Sequence, residues 1–504
     1  MTEHEFDRLL ETAAPELPPD DIAAEVTPWR RAIGYILGGS AMCAITLNFL
    51  SLNVILPTVG VILQLIGFRS LRRENGWFRT CWLLAVLRVV LYLPCVVLNA
   101  TIYSSTVYAS PAGAVLTYGM VAIQLLLFFC FWRALLTAQR RAGAEAHAGS
   151  AAALLVWYAA VLALGWVQYN GLLLGLVMLG CYILILRSLS ALSKEMEESG
   201  YALTPAPVRV SDGVLVRTLA AVLAVGIACG YLFFGSYRMD WQREDGAVNA
   251  EAAGVRAELL ALGYPEAALA DLSESDLLAC RGAVLVVAHE TDKPMNDGRE
   301  VRTGDGYTTY ITTVYDVEEL HLTDVAVLLT DEPEHWLIFH HFRWTEDTRF
   351  CGTELIRLWP AYRENSEWTA ASELMGRVLY DDASGGTYAA PYASLALEGF
   401  AATDFFGGGR YVEDIFAAFS MPSRGENQRG YVAYGARETS GGSHYINSWT
   451  NYTHQEGRFQ YPVQTAKDSS KAGGWGDRYP FRRVQDALQF DRLKDGSIRF
   501  WGEE

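Results

Sequence analysis

Residues 32–68 read AIGYILGGSAMCAITLNFLSLNVILPTVGVILQLIGF, 37 positions without one Asp, Glu, Lys or Arg. A bilayer core accommodates roughly 20 apolar residues per helix, about 17–25, so the run is too long for a single span. Its polar centre, NFLSLN at 48–53, divides it into a tight hairpin of two. Working outward, Phe78–Tyr103 supplies a third span and Pro111–Leu136 a fourth. Ser150–Leu186 is a second overlong apolar run, broken at Gln168-Tyr169-Asn170-Gly171 into a fifth and a sixth, and Val214–Ser236 is the seventh. The expectation is an all-α membrane bundle of about seven helices, with spans near 32–50, 52–68, 78–103, 111–136, 150–167, 170–187 and 214–236. The lipid bilayer is the implied partner, and the setting is that of a multi-pass cell-membrane protein.

Short loops rich in Lys and Arg stay on the cytoplasmic side. Arg30 and Arg31 precede the first span, and Arg69, Arg72, Arg73 and Arg79 follow the second. Arg133, Arg140 and Arg141 close the fourth, and Arg187, Lys194, Arg209 and Arg217 lie in and around the link at 188–213. The alternate turns at 48–53, 101–112 and 167–171 carry no Lys or Arg. This asymmetry places the acidic tail, residues 1–31, inside and, after an odd number of spans, the chain beyond Ser236 outside. The tail contains no apolar stretch of the signal-peptide kind, so the first span is expected to act as an uncleaved anchor. Its FDRLLETAAPELPPDDIAAEV segment reads as a solvated tail or as two short helices for a cytoplasmic protein partner.

One charge, Arg88, falls deep inside a span, nine residues and so about 13.5 Å along a helix from Arg79. An intramembrane arginine points to function unless it snorkels or is hydrogen-bonded. No Asp or Glu occurs in any span, which leaves Gln64, Gln124 and backbone carbonyls as its candidate partners. The lack of intramembrane carboxylates and histidines argues against a proton-coupled pump. The spans also carry no HExxH motif and no serine dyad of an intramembrane protease. Gly34/Gly38, Gly171/Gly175 and Gly226/Gly230 are small-xxx-small pairs suited to close helix packing.

The rest of the chain is chemically different. From Tyr237 onward there are 25 Lys and Arg against 43 Asp and Glu, a net charge of −18, whereas the preceding 236 residues carry 15 against 14. Such acidity excludes nucleic acid as a partner, because phosphate binding needs basic patches. Tyr237 and Trp241 suit a membrane interface, and 237–282 reads as a juxtamembrane stretch with short helices, one opened by a capping box at Ser273 and Asp276. From 283 to 504 the pattern turns to short β-branched and aromatic runs: AVLVVAH, YTTYITTVYD, DVAVLLT, HWLIFHHFRW, ELIRLWP, GRVLYD, ASLALEG, RGYVAYGA, HYINSWTNY and RFQYPVQ. Asp495-Gly496 marks a final hairpin. These imply a mainly antiparallel β soluble domain of sandwich or jelly-roll type, with a mixed α+β layer as the rival.

Cys280 and Cys351 are the only cysteines of this half, and outside the cytoplasm they are a candidate disulfide. His335, His340 and His341 share one strand, but successive side chains alternate faces. His335 and His341 would stand about 20 Å apart, so this run offers no metal site. Scattered Ser, His and Asp with no GxSxG elbow give no catalytic assignment, and no cofactor is implied. Eight of the 14 tryptophans lie after Ser236, as core or as a sugar- or peptide-binding face. Five Lys among 40 basic residues suggest a GC-rich, bacterial genome. The leading functional expectation is an envelope sensing, regulatory or assembly protein whose extracytoplasmic domain binds a glycan, peptide or protein. The alternatives are a small-solute permease core with an accessory domain, or a membrane-anchored hydrolase.

Overall fold

The computed structural model describes residues 27–44, 51–143, 147–167, 169, 171–198, 206–244, 249–304, 309–346, 348–363, 365–403, 409–439, 445–472 and 479–501. The acidic tail over 1–26, most of the NFLSLN bend and the break residues Gln168 and Asn170 lie outside them. The chain divides into two compact units, Met1–Tyr231 and Leu232–Glu504.

The first unit is helical: α1 (Pro28–Ala44), α2 (Leu52–Leu71), α3 (Gly76–Leu98), the short α4 (Ser104–Ala109), α5 (Pro111–Arg141), α6 (Gly149–Trp166), α7 (Leu172–Glu198) and α8 (Asp212–Phe234). Among the described residues, six of these are long and apolar enough to cross a membrane: α2, α3, α5, α6, α7 and α8. Asn75 caps α3 by accepting from the Phe78 amide, and Ser110 caps α5 by accepting from the Gly113 amide, with Pro111 at the first helical position.

Two expectations change. Residues 188–198, assigned to a polar link, continue α7, because Leu189, Leu192 and Met196 recur at helical spacing and are buried. Of the small-residue pairs, Gly226/Gly230 on α8 approaches Val97 and Ala100 closely (2.7 and 3.0 Å from a Cβ), whereas Gly34/Gly38 face open space. A further close contact joins α1 to α2: a Cβ on Gly39 would sit 2.5 Å from the Gly60 carbonyl oxygen, and one on Gly60 would sit 2.6 Å from that of Gly39. Only glycine permits the two backbones to approach so closely.

The basic segments gather at one end of the bundle. Trp29 Nε1 at the start of α1 donates to the Ser193 carbonyl near the end of α7 (3.3 Å). Arg69 at the end of α2 pairs with Asp212 at the start of α8 (3.3 Å), and Arg72 donates to the Pro207 carbonyl. Arg141 at the end of α5 pairs with Glu74 before α3 (3.7 Å).

The second unit is built on two antiparallel sheets. One has seven strands in the order β1 (Gln242–Arg243), β9 (Thr387–Ala390), β8 (Trp368–Asp381), β12 (Glu426–Glu438), β6 (Glu334–Trp344), β5 (Leu320–Asp331), β2 (Leu285–Lys293). The other has six: β10 (Ser394–Thr403), β11 (Gly409–Phe419), β7 (Glu354–Trp359), β13 (Tyr445–Gln455), β14 (Phe481–Arg492), β15 (Ile498–Phe500). A separate exposed hairpin pairs β3 (Arg299–Gly304) with β4 (Thr309–Val314). The main core draws on both sheets, with Leu322, Trp336, Ile338, Phe342 and Val432 from the first and Ile356, Leu358, Ile415, Tyr452 and Leu488 from the second.

The opposite face of the seven-stranded sheet is also apolar. Val325, Val327, Leu337, Phe339 and Tyr431 pack there under α9 (Ala250–Ala261), α10 (Glu266–Ala270) and α11 (Glu274–Ala279). Burial on both faces is why DVAVLL and HWLIFHHF are continuous apolar runs rather than alternating ones. On β8, Gly376 (φ +152°) is obligatory, since a Cβ there would lie 2.3 Å from the Tyr431 carbonyl oxygen.

Several elements depart from the reading of the sequence. Strands β1, β3, β9 and β11, and β14 ahead of its final hairpin, lie outside the runs that the sequence marks, and RFQYPVQ is a loop leading to α12 (Ala466–Lys471). Strand β14, FRRVQDALQFDR, buries Leu488 and Phe490 fully in the core but carries charged and amide residues elsewhere, so its period-two signal is weak. Trp241 packs on the β core with its ring edge-on to Tyr380 (4.8 Å). Ser273 does cap α11, accepting from the Asp276 amide, and the Asp495-Gly496 turn joins β14 to β15 as a hairpin.

Candidate functional site

In the bundle the structure joins two of the three polar candidates. The Arg88 guanidinium donates to Gln64 Oε1 (2.6 Å), Gln64 Nε2 donates to Ser40 Oγ (2.9 Å), and Ser40 Oγ donates to the Ile36 carbonyl (2.8 Å). All three side chains are buried. Gln124 is buried too but bonds to neither, and its Oε1 has no partner among the described residues. Cys43, Tyr92 and Tyr158 complete the electrostatic surroundings of Arg88. A continuous chain of hydrogen bonds between α1, α2 and α3 accounts for this arginine as helix cross-linking.

The β unit contains a constellation that the sequence concealed. His340 Nδ1 meets Asp324 Oδ1 at 2.6 Å, and His340 Nε2 meets Ser448 Oγ at 2.7 Å. Tyr434 OH donates to Ser448 Oγ (2.8 Å) and accepts from the Ala361 amide (2.9 Å). With the Nδ1 proton assigned toward Asp324, Ser448 donates to Nε2, which is the hydrogen-bond order of a serine hydrolase. Strands far apart in sequence bring these residues together, so no local motif could reveal them. Yet Ser448 is 0% exposed and Asp324 and His340 each 1%. An acyl substrate must reach within about 3–3.5 Å of the nucleophile, and the described residues leave Ser448 without solvent exposure. Because His340, Asp324 and Tyr434 stand on the seven-stranded sheet and Ser448 on the six-stranded one, the relay works as a polar clamp across the core.

The clamp extends to a second acid. Asp486 on β14 pairs with Lys293 (3.1 Å), but burial and the nearby Asp324 push its carboxyl above the usual aspartate value of 3.8 despite Lys293 and His289. A raised folded value means that the unfolded chain ionises first. Stability therefore falls as pH climbs from the ordinary value through the raised one, and the loss is complete above it. Asp486→Asn is expected to raise the melting temperature at pH 7, and the gain should vanish at pH values below the ordinary aspartate range. An equal gain at both pH values would refute this account.

His341 faces away from His340, as strand parity requires, and bonds to Asp271 Oδ2 (2.8 Å) under the helices, where Arg429 holds the other oxygen (2.7 Å). Among the described residues no three His, Cys, Asp or Glu side chains gather as a metal would need. Cys280 and Cys351 do not form the anticipated disulfide; both are free thiols. Cys280 lies in the helix-covered cluster and donates to the Asp276 carbonyl, whereas Cys351 precedes β7 and donates to the Gln455 carbonyl, so they belong to different layers. Burial pushes the Cys280 thiol up to about 12, which makes it an inert core group.

The face of the six-stranded sheet turned away from the core holds the accessible chemistry. On β13 the even positions Ile446, Ser448, Thr450 and Tyr452 are buried, and the odd positions Tyr445, Asn447, Trp449 and Asn451 are half-buried on the opposite face. Trp449 pairs in register with Trp359 on one side and Ala487 on the other, and the indoles stand 5.9 Å apart. Arg363 stacks on Trp359 (4.3 Å), and Asp414, fully buried, holds both Arg363 (2.8 Å) and Arg357 (2.6 Å). Gln489 Nε2 donates to Asn447 Oδ1 (2.8 Å). Further along, Trp501 packs on Tyr445 (5.3 Å) and is 57% exposed. Alternation of apolar and polar residues in HYINSWTNY was the signal available in the sequence; the neighbours of each residue were not.

No family model matches the chain, and no curated protein matches it. Among solved structures, a chain described under pH-induced modulation of Streptococcus parasanguinis adhesion by Fap1 fimbriae aligns over 34% of this chain and 74% of its own length, at 8% identity and a TM-score of 0.17.

Proposed function

We propose that this chain is a seven-span cell-membrane protein with a cytoplasmic amino terminus, whose extracytoplasmic β-sandwich binds an envelope ligand on the open face around Trp449. The observation that carries the binding reading is the half-buried Trp359–Trp449 pair beside Ala487, ringed by amide side chains on a rigid sheet. Rigid aromatic groups with few, well-placed polar neighbours are the usual make-up of a recognition surface. Support for the orientation comes from the basic loops and from the contacts that bring the ends of α2, α5 and α7 and the starts of α1 and α8 together. Core residues from both sheets support the sandwich.

Two measurements test this. In intact cells, protease should reach the chain after Ser236; full protection would overturn the orientation. A photo-reactive amino acid in place of Gln485 should form an adduct with an envelope component, and the same group in place of Tyr310 on the β3–β4 hairpin should not. No adduct at 485 in a domain shown to be exposed would overturn the binding face. The permease reading would have to account for Arg88, which donates to Gln64, and the hydrolase reading would need access to Ser448, which is 0% exposed.

A further inference from the structure

Resting on that binding reading, we infer that the ligand of this face is an uncharged carbohydrate chain. The argument starts from charge. In a domain of net charge −18, the charged groups of this face near Trp359 are held in pairs: Arg357 and Arg363, at 13% and 9% side-chain exposure, share Asp414 with one positive charge in excess, and Arg499 sits on Asp491 (2.6 Å). On β13 and β14 the side chains that flank Trp449 are neutral: a methyl group at Ala487 and the amides of Asn447, Asn451, Gln485 and Gln489. A basic peptide would find Asp414 and Asp491 already paired with arginines, and an anionic polymer would find only largely buried guanidinium groups while meeting the acidic domain around them.

Neutral donors and acceptors are nonetheless on offer. The Asn447–Gln489 bond uses one group from each amide, leaving the Asn447 amide nitrogen and the Gln489 carbonyl oxygen without a partner among the described residues. Gln485 and the Trp449 indole N–H make no hydrogen bond among the described residues. A sugar ring has one face of C–H groups and an edge of hydroxyls that both donate and accept. Its C–H face stacks on an indole, and its hydroxyls pair with amides, which supply both hydrogen-bonding senses. Ala487 leaves room beside the indole for a ring to lie flat. The second aromatic pair, Tyr445 and Trp501, stands four residues along β13, about 13 Å away. That spacing fits a run of linked rings better than a single sugar.

The test uses the full-length protein in lipid nanodiscs, titrated calorimetrically with uncharged hexasaccharides of glucose, N-acetylglucosamine, galactose and mannose. Saturable binding by at least one is expected. Trp449→Ala should weaken it at least tenfold and Trp501→Ala by a smaller factor. If Trp449→Ala lowers the melting temperature, Gln489→Ala and Trp501→Ala carry the test, because both positions are more peripheral. No saturable binding overturns the carbohydrate assignment, and so does binding that none of these variants weakens. An adduct in cells at position 485 without hexasaccharide binding leaves the binding face standing and rejects the sugar; absence of that adduct rejects the face itself.

Discussion

Replacing His340 by alanine is expected to lower the stability of the β domain by about 3–5 kcal/mol, the usual result of breaking a buried pair from one side. The substitution strands the Asp324 carboxylate at 1% exposure, where its second oxygen already has no partner among the described residues. It also leaves Ser448 without an acceptor in a fully buried position. Replacing Ser448 alone by alanine should cost less, about 1–3 kcal/mol, because only neutral groups lose partners. The double change of His340 and Asp324 should cost less than the sum of the single ones, since an uncompensated charge no longer remains. Thermal unfolding of the full-length protein followed by near-ultraviolet circular dichroism measures all four. The clamp and the hydrolase reading also differ in a second observable: an active-site serine probe should not label Ser448. Labelling would show that the core opens and that the triad-like order is functional.

The second large effect is expected at Asp414. Its carboxylate is fully buried and holds two guanidinium groups at 13% and 9% side-chain exposure. Asp414→Ala would leave two like charges facing each other against Trp359, Phe400 and Phe416, and should destabilise the domain by about 3–5 kcal/mol. Asp414→Asn keeps the volume but not the charge, so most of the loss should persist. Because Arg363 clamps Trp359, and Trp359 abuts Trp449, the same substitutions should weaken ligand capture at position 485 even below the melting transition. A variant that unfolds no earlier than the parent would show that the aromatic packing alone holds this corner.

Much of the architecture was legible in the chain. Apolar runs such as 32–68, with 37 uncharged residues, can be satisfied only by lipid or by a large core. The same holds for strands whose two faces differ: β13 shows its buried and open sides in its alternation. Strand β14 was hidden because its outward residues are charged and its inward ones few. The helical continuation of α7 was hidden because polar residues on its solvent side masked Leu189, Leu192 and Met196.

What the sequence determined by itself was the apolar helical half, the acidic β half and the division between them, because hydropathy and net charge are sums over neighbouring residues. The tertiary structure decided which polar groups meet. Asp324, His340 and Ser448 share one hydrogen-bond chain although 16 and 108 residues separate the bonded pairs. Trp359 meets Trp449 across 90 positions through strand pairing. It also decided that Cys280 and Cys351 remain apart, since layering of the sheets and helices, not spacing along the chain, sets which thiols can reach each other. Strand register fixes such encounters to within one residue, and register depends on the complete sheet.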